Sequence, residues 1–293
     1  MKVVYYLIAT LSAARVAYAA PVASQVDATY FFTFGNSYTS TGFSSNSTQP
    51  SATNPMGNPV LGSGTSSGGM NWVGYLTTVF NNSLVLNYDL AVSGACINNS
   101  IVSATVHDLV WQVELNFVPT YGEQPDSARW TAESAVFAFW IGINDIGHSY
   151  QTVDPSNTVP VLMDSFFNLV VEVYAAGARQ FLFLQVPPTT RSPLIIENGN
   201  IPAHAAYVAL YNQQLEMRIE MFKETFSDVT VVYYKAWDFM TNVLDHPGDY
   251  GFHNETCIGD GCVWYNNYHP TAAFHELMAK DMAPKLKAFQ NGW

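Results

Sequence analysis

Five short apolar runs, each separated from the next by helical stretches, constrain this chain more than any other feature. They are Phe31–Phe34, Leu84–Leu90, Ala135–Ile141, Arg179–Val186 and Val229–Tyr234. These runs are continuous rather than alternating, which is the pattern of strands buried on both faces of a parallel sheet. Between them, helical periodicity marks a segment beginning at Gly69, with Trp72, Tyr75, Leu76 and Val79 on one face. Further helices are predicted over Val106–Phe117, Val159–Ala176, Ala203–Phe226, Ala236–Leu244 and Thr271–Phe289. The alternation predicts an α/β fold with a parallel sheet covered by helices on both faces and right-handed crossovers. It leaves the strand order open. With 293 residues, 48% of them apolar, and neither a repeat nor a linker, one large domain over residues 21–293 is expected. A polar, Ser/Thr/Asn/Gly/Pro-rich stretch over residues 44–68 reads as a long surface loop, either the rim of a cleft or a passive insertion.

In an open α/β sheet, ligands bind beyond the carboxyl ends of the strands. Candidate chemistry is therefore sought where the apolar runs stop. The first run ends in Gly35-Asn36-Ser37, the second in a small-residue turn around Gly94, and the third in Gly142-Ile143-Asn144-Asp145. A late loop supplies Trp264-Tyr265-Asn266-Asn267-Tyr268-His269-Pro270. Ser37 alone reads equally as a helix cap or as a nucleophile. A serine hydroxyl attacks only when a base takes its proton, and histidine is the usual base. The oxyanion formed in acyl transfer needs donors already aimed at it, from backbone N–H groups or a side-chain amide. Serine, glycine, asparagine and histidine in this order are the parts of a serine esterase.

Composition narrows the partners. The formal net charge is -12, from 11 Lys+Arg against 23 Asp+Glu, the wrong sign for a nucleic acid or an anionic membrane. Lys2, the apolar run Val3–Leu11 and the small residues Ala17-Tyr18-Ala19-Ala20 form a secretory signal peptide over residues 1–20, with Arg15 as its one awkward residue. No other run is read as long and apolar enough to span a membrane. An extracellular, unanchored monomer is expected. Acceptor patterns for N-glycosylation occur at Asn46, Asn81, Asn98 and Asn254. Cys257 and Cys262 bracket a turn short enough for a local disulfide, leaving Cys96 as a small buried apolar residue. No cluster has metal-ligand spacing, and the chemistry calls for no metal or cofactor.

With these blocks in hand, the chain resembles the SGNH, or GDSL, hydrolase superfamily over about Tyr30 to Lys285. The matching segments are Phe34-Gly35-Asn36-Ser37, the glycine block at Gly94, Gly142-Ile143-Asn144-Asp145 and Asn266–Thr271. The resemblance implies a three-layer α/β/α, flavodoxin-like fold with a five-stranded parallel sheet. It also implies Ser37 as nucleophile, His269 as base, and an oxyanion hole made by the Ser37 and Gly94 backbone N–H groups and the Asn144 amide. Gly35–Phe43, His269-Pro270-Thr271 and His275 look more narrowly like the secreted fungal acetylesterases of carbohydrate esterase family 16. That likeness implies acetyl esters of hemicellulose-derived oligosaccharides as substrates. A lipase-like esterase for longer acyl chains and a catalytically impaired carbohydrate-binding relative are the alternatives.

Two positions depart from the family. Asn36 and Asn266 stand where the family carries Asp. An Asn beside the base can accept the imidazole N–H, or it can donate and favour the wrong tautomer. Three outcomes are open: a Ser37–His269 dyad oriented by Asn266 or a backbone carbonyl, a substitute carboxylate such as Asp260 or Asp145, or a nearly inactive protein. Asp145 is expected to support the Asn144 loop. His275 reads as structural. Trp72, Trp111 and Trp140 read as core, and Trp264, in a loop beside His269, as a cleft residue.

Overall fold

The computed structural model describes residues 28–293. The proposed signal peptide lies outside the described residues. Five parallel strands, β1 (Thr29–Gly35), β2 (Val85–Asp89), β3 (Ala135–Trp140), β4 (Gln180–Leu184) and β5 (Thr230–Tyr234), form one sheet in the order β2-β1-β3-β4-β5. The chain leaves β1 toward β2 on one side and later returns to place β3 on the other. The end of β1 is therefore a topological switch point, where a crevice opens in folds of this kind. This order was not legible in the hydrophobic pattern.

Side chains on successive strand residues point to opposite faces. On one face, register pairs Phe32 with Phe137, Phe34 with Phe139, Phe137 with Phe181 and Phe139 with Phe183, a phenylalanine ladder across three strands. Ring centroids of Phe34 and Phe139 lie 4.7 Å apart and those of Phe32 and Phe137 5.1 Å apart. Helices α4 (Pro155–Ala175) and α6 (Ile201–Thr225) cover this ladder, with Phe166 and Phe167 against Phe183 and Phe222 against Phe181. On the other face Phe31 packs on Trp72 of α1 (Trp72–Thr78) and on Trp293. Helix α8 (Ala272–Leu286) lies beside α1, and α7 (Ala236–Asp245) joins it through Phe239 and Phe274.

Several expectations are corrected. The helix foreseen over Val106–Phe117 starts later: a π-helical segment, Trp111–Phe117, runs into α2 (Val118–Tyr121). The Asp108 carboxylate accepts from Trp111 N–H at 2.9 Å and from Asn99 N–H at 2.8 Å, so residues before it belong to a folded-back loop. Short helices α3 (Ile143–Ser149) and α5 (Pro193–Asn198) carry too few residues for a periodic signal. Helix α4 does reach a membrane-spanning length and composition, with 21 residues and a mean hydropathy of 1.3. Its apolar face is instead spent on the sheet, through Val159, Leu162, Met163 and Phe166. The 44–68 stretch is not a passive insertion. Pro55 accepts a hydrogen bond from Asn87 N–H of edge strand β2 at 2.9 Å, and Met56 is buried against the core. A loop laid on the edge strand at this point hinders pairing with another chain there.

Candidate active site

The turn after β1 is built so that Ser37 must project from the sheet edge. A β-carbon at Gly35 would collide with the Trp140 carbonyl oxygen, so only glycine lets β1 and β3 close this tightly. Gln112, buried in the π-helical segment, grips Gly35 on both sides. Its Oε1 accepts from Gly35 N–H at 2.9 Å, and its Nε2 donates to Gly35 C=O at 2.8 Å. Asn36 is buried, and its Oδ1 accepts from Tyr38 N–H at 3.1 Å, a local turn that tips Ser37 outward. Asp89, at the end of β2, accepts from Thr33 Oγ1 at 2.8 Å, from Thr41 N–H, and from Ala91 N–H at 3.2 Å. It ties the segment after Ser37 to the neighbouring strand, and burial pushes its carboxyl up to about 6.

The late loop brings His269 across 232 residues of sequence to place Nε2 2.7 Å from Ser37 Oγ. The other ring nitrogen, Nδ1, is 3.0 Å from Asn266 Oδ1. That oxygen also accepts from Tyr268 N–H and His269 N–H, each at 2.9 Å. Backbone N–H groups can only donate, so they fix which end of the Asn266 amide faces the ring. An oxygen facing Nδ1 requires Nδ1 to carry the proton, which leaves the Nε2 lone pair to accept from the Ser37 hydroxyl. The wrong-tautomer arrangement is thereby excluded by geometry. Among the described residues neither Asp260 nor Asp145 bonds the ring. Asp145 is directed to Ile97 N–H, at 3.0 Å, which removes the substitute-carboxylate expectation. Burial pushes His269 down to about 4, and no carboxylate on Nδ1 counters it.

The two small-residue strand ends meet beside this pair. Asn144, in the first turn of α3, donates one amide hydrogen to Ala95 C=O at 2.8 Å, leaving its second for another acceptor. Asp145, expected to support the Asn144 loop, is directed instead to the 95–97 segment through Ile97 N–H; burial pushes its carboxyl up to about 7. Gly94 has φ +85°, a conformation that strains other residues, and Val106 lies over it. Tyr38 packs 5.5 Å from the His269 ring and donates its hydroxyl to Tyr268 C=O, holding the late loop against the first turn. Ser37, His269, Asn266, Asn144 and the Gly94 turn are brought to one edge.

Other candidates fall elsewhere. Trp264 is fully buried, and its Nε1 donates to Glu255 C=O at 2.8 Å, so it is a core residue and not a cleft residue. It bridges to Ile258 and Pro270, so the late loop wraps around it. His275 is buried 6.4 Å from Tyr38 and makes no bond to Ser37; burial pushes it down to about 3. The Cys257–Cys262 disulfide is formed, and Cys96 is buried and free. Asn46 and Asn254 are exposed. The Asn98 amide donates to Ser165 Oγ at 3.1 Å, and that of Asn81 donates to Thr77 C=O at 2.9 Å and Ser83 C=O at 3.0 Å. Gln112 and Asp89 were not singled out from sequence. A charge at the end of an apolar strand was the available signal for Asp89; Gln112 had none.

Comparison with known proteins places the chain in a family. The family described as GDSL-like Lipase/Acylhydrolase matches residues 31–282. An acetylesterase from Thermothelomyces thermophilus is 38% identical over 290 residues, covering 96% of each chain. A second acetylesterase, from Hypocrea jecorina, is 28% identical over 169 residues, 54% of this chain and 48% of that protein. Among solved structures, a mutant of an acetyl-xylooligosaccharide esterase from Geobacillus shares the fold, with a TM-score of 0.53 at 14% identity over 90% of this chain and 95% of that one. With a match spanning the strand ends and the late loop alike, the chain belongs to the GDSL-like lipase/acylhydrolase family and is a carboxylic ester hydrolase.

Proposed function

We propose that this protein is a secreted acetylesterase that removes acetyl groups from hemicellulose-derived oligosaccharides. The observation that carries the reading is the Ser37 Oγ to His269 Nε2 contact of 2.7 Å, with the ring tautomer set by Asn266. Ser37 Oγ attacks the acetyl carbonyl carbon while His269 Nε2 takes its proton. The carbonyl oxygen becomes an oxyanion, received by the backbone N–H groups of Ser37 and Gly94 and by the second amide hydrogen of Asn144. The C–O bond to the sugar then breaks, and the imidazolium gives its proton to the departing hydroxyl. Water, deprotonated by His269, attacks the acetyl-enzyme and releases acetate and free Ser37. Every proton taken is returned, so the cycle runs on the chain's own groups. The relative of 38% identity supports the acetyl group, and the fold-sharing esterase suggests the acetylated xylo-oligosaccharide as test substrate.

A p-nitrophenyl ester series tests the acyl group. The kcat/KM is expected to be highest for acetate and to fall by at least tenfold beyond butyrate; a rise with chain length identifies a lipase-like esterase instead. Secretion is tested on protein recovered from the culture medium of a eukaryotic host. Its N-terminus is expected at Ala20 or Pro21, and an uncleaved chain retained in cells overturns the location.

A further inference from the structure

A groove runs beside the proposed centre on its β2 side, and nothing so far assigns it a role. It has a volume of about 270 Å³ and is lined by Val92, His107, Trp111, Leu115, Ser45 and Asn116, among others. Two features make it more than a surface irregularity. First, it is joined to the reacting edge. Val92 N–H donates to Gly35 C=O at 3.1 Å, two residues before Ser37. Val106, next to His107, packs over Gly94, where an added β-carbon would lie 3.4 Å from a Val106 methyl. Leu109 N–H donates to Cys96 C=O at 3.0 Å, and Asn99 Nδ2 to Val106 C=O at 2.8 Å. The 97–108 loop is thus folded back to bring His107 alongside the oxyanion turn.

Second, the groove has an aromatic wall that the core does not use. The His107 and Trp111 rings stack at 4.1 Å with planes 9° apart; His107 is exposed and Trp111 half-buried. A stacked pair of rings is rigid and presents a flat face at low entropic cost. The rest of the lining is divided between neutral polar residues, among them Ser45, Asn46 and Asn116, and apolar ones, among them Phe43, Leu90 and Leu115. Ser45 Oγ donates to Asn116 Oδ1 at 2.7 Å, which orients the Asn116 amide hydrogens. No Asp, Glu, Lys or Arg lines the groove. A long acyl chain would call for a channel apolar throughout, and an anionic ligand for a cation; this groove is mixed and uncharged. A sugar ring has an apolar C–H face to lie on the rings and hydroxyls to meet amides. The volume lies just below the roughly 300–1,000 Å³ usual for ligand pockets, enough for a single ring rather than a whole ligand.

We infer that the His107–Trp111 stack is a carbohydrate subsite, holding a neutral pyranose ring of the substrate on the leaving-group side of Ser37. The inference rests on the proposed acetylesterase reading for its role in turnover, but the binding itself can be measured without turnover. Trp111→Ala and His107→Ala are each made in the full-length protein, with thermal unfolding to identify the folded variants. The ratio of kcat/KM on acetylated xylotetraose to that on p-nitrophenyl acetate is expected to fall at least tenfold in Trp111→Ala and about threefold in His107→Ala, mainly through KM on the oligosaccharide. Because Trp111 adjoins Gln112, the exposed His107 provides the variant less exposed to folding damage. Calorimetric titration of unacetylated xylotetraose into Ser37→Ala protein is the second measurement. Binding weakened at least threefold by adding His107→Ala supports the subsite. Unchanged ratios in folded variants, or no xylotetraose binding to the Ser37→Ala protein, overturn it. If no ester is hydrolysed while xylotetraose binding still depends on His107, the acetylesterase reading fails and the subsite stands.

Discussion

Ser37→Ala lowers kcat on p-nitrophenyl acetate by about 10⁶-fold, the loss seen when the nucleophile of a serine hydrolase is removed. The prediction follows from how little else Ser37 does. Its hydroxyl bonds only His269 among the described residues, whereas its neighbours carry the local structure. Asn36 makes the turn, Gln112 holds Gly35, and Asp89 holds Thr41, none of them through the Ser37 side chain. Deleting one partly buried hydrogen bond costs about 0.5–1.5 kcal/mol. The variant is therefore expected to keep its cooperative unfolding while losing its chemistry. Measuring both on the same preparation separates the two. A folded variant retaining more than a few per cent of wild-type kcat places the nucleophile elsewhere and overturns the proposed mechanism. A low residual rate is compatible with it, because an oxyanion hole alone still accelerates attack by water.

What the sequence made legible, and what it did not, follows from the range of the interactions. The strand runs were legible because a strand buried on both faces must be apolar throughout, and Phe32, Phe34, Phe137, Phe139, Phe181 and Phe183 satisfy that condition residue by residue. Their register is a property of pairs distant in sequence, and no periodicity within one run encodes it. The strand-end residues could be found because glycine at a tight closure and amides beside it are chemically unusual among apolar neighbours. Gln112 is the opposite case. It sits on the buried face of a helical segment and acts on a backbone 77 residues away, so nothing local sets it apart. Trp264 was misread for a related reason. A tryptophan in a turn-rich loop beside a histidine looks exposed, but the bridges to Ile258 and Pro270 fold that loop into a shell around the indole. The helix start was misplaced although Asp108 is a legible cap, because apolar residues upstream of it continued the pattern.

Asn266→Asp is expected to raise kcat/KM above pH 7 by about 10- to 100-fold and to move the acidic limb of the pH–rate profile upward by about two units. In the wild type, burial pushes His269 down to about 4, so the ring is neutral and able to accept a proton at any pH above that value. Such a ring is available but weakly basic, and the imidazolium formed as Ser37 attacks has only a neutral amide oxygen on its Nδ1 side. An Asp at 266 keeps the acceptor that His269 Nδ1, His269 N–H and Tyr268 N–H now share, and adds a negative charge where the positive one develops. That favours the protonated ring and raises its pKa. A base of higher pKa is already protonated at moderately acidic pH. The variant's advantage therefore shrinks toward acid: near pH 5 only about a tenth of its rings are neutral, so the gain of about 10- to 100-fold above pH 7 falls to about 1- to 10-fold and the two profiles converge. The gain should fall short of the roughly 10⁴-fold that separates Asp from Asn in a serine-protease triad. Part of that difference comes from the wrong tautomer, and Asn266 avoids it because two backbone N–H groups hold its oxygen toward the ring. A gain near 10⁴ would mean that the amide is turned in solution and the wild-type ring is held in the wrong tautomer. Superimposable profiles would mean that Asn266 does not orient His269 during turnover.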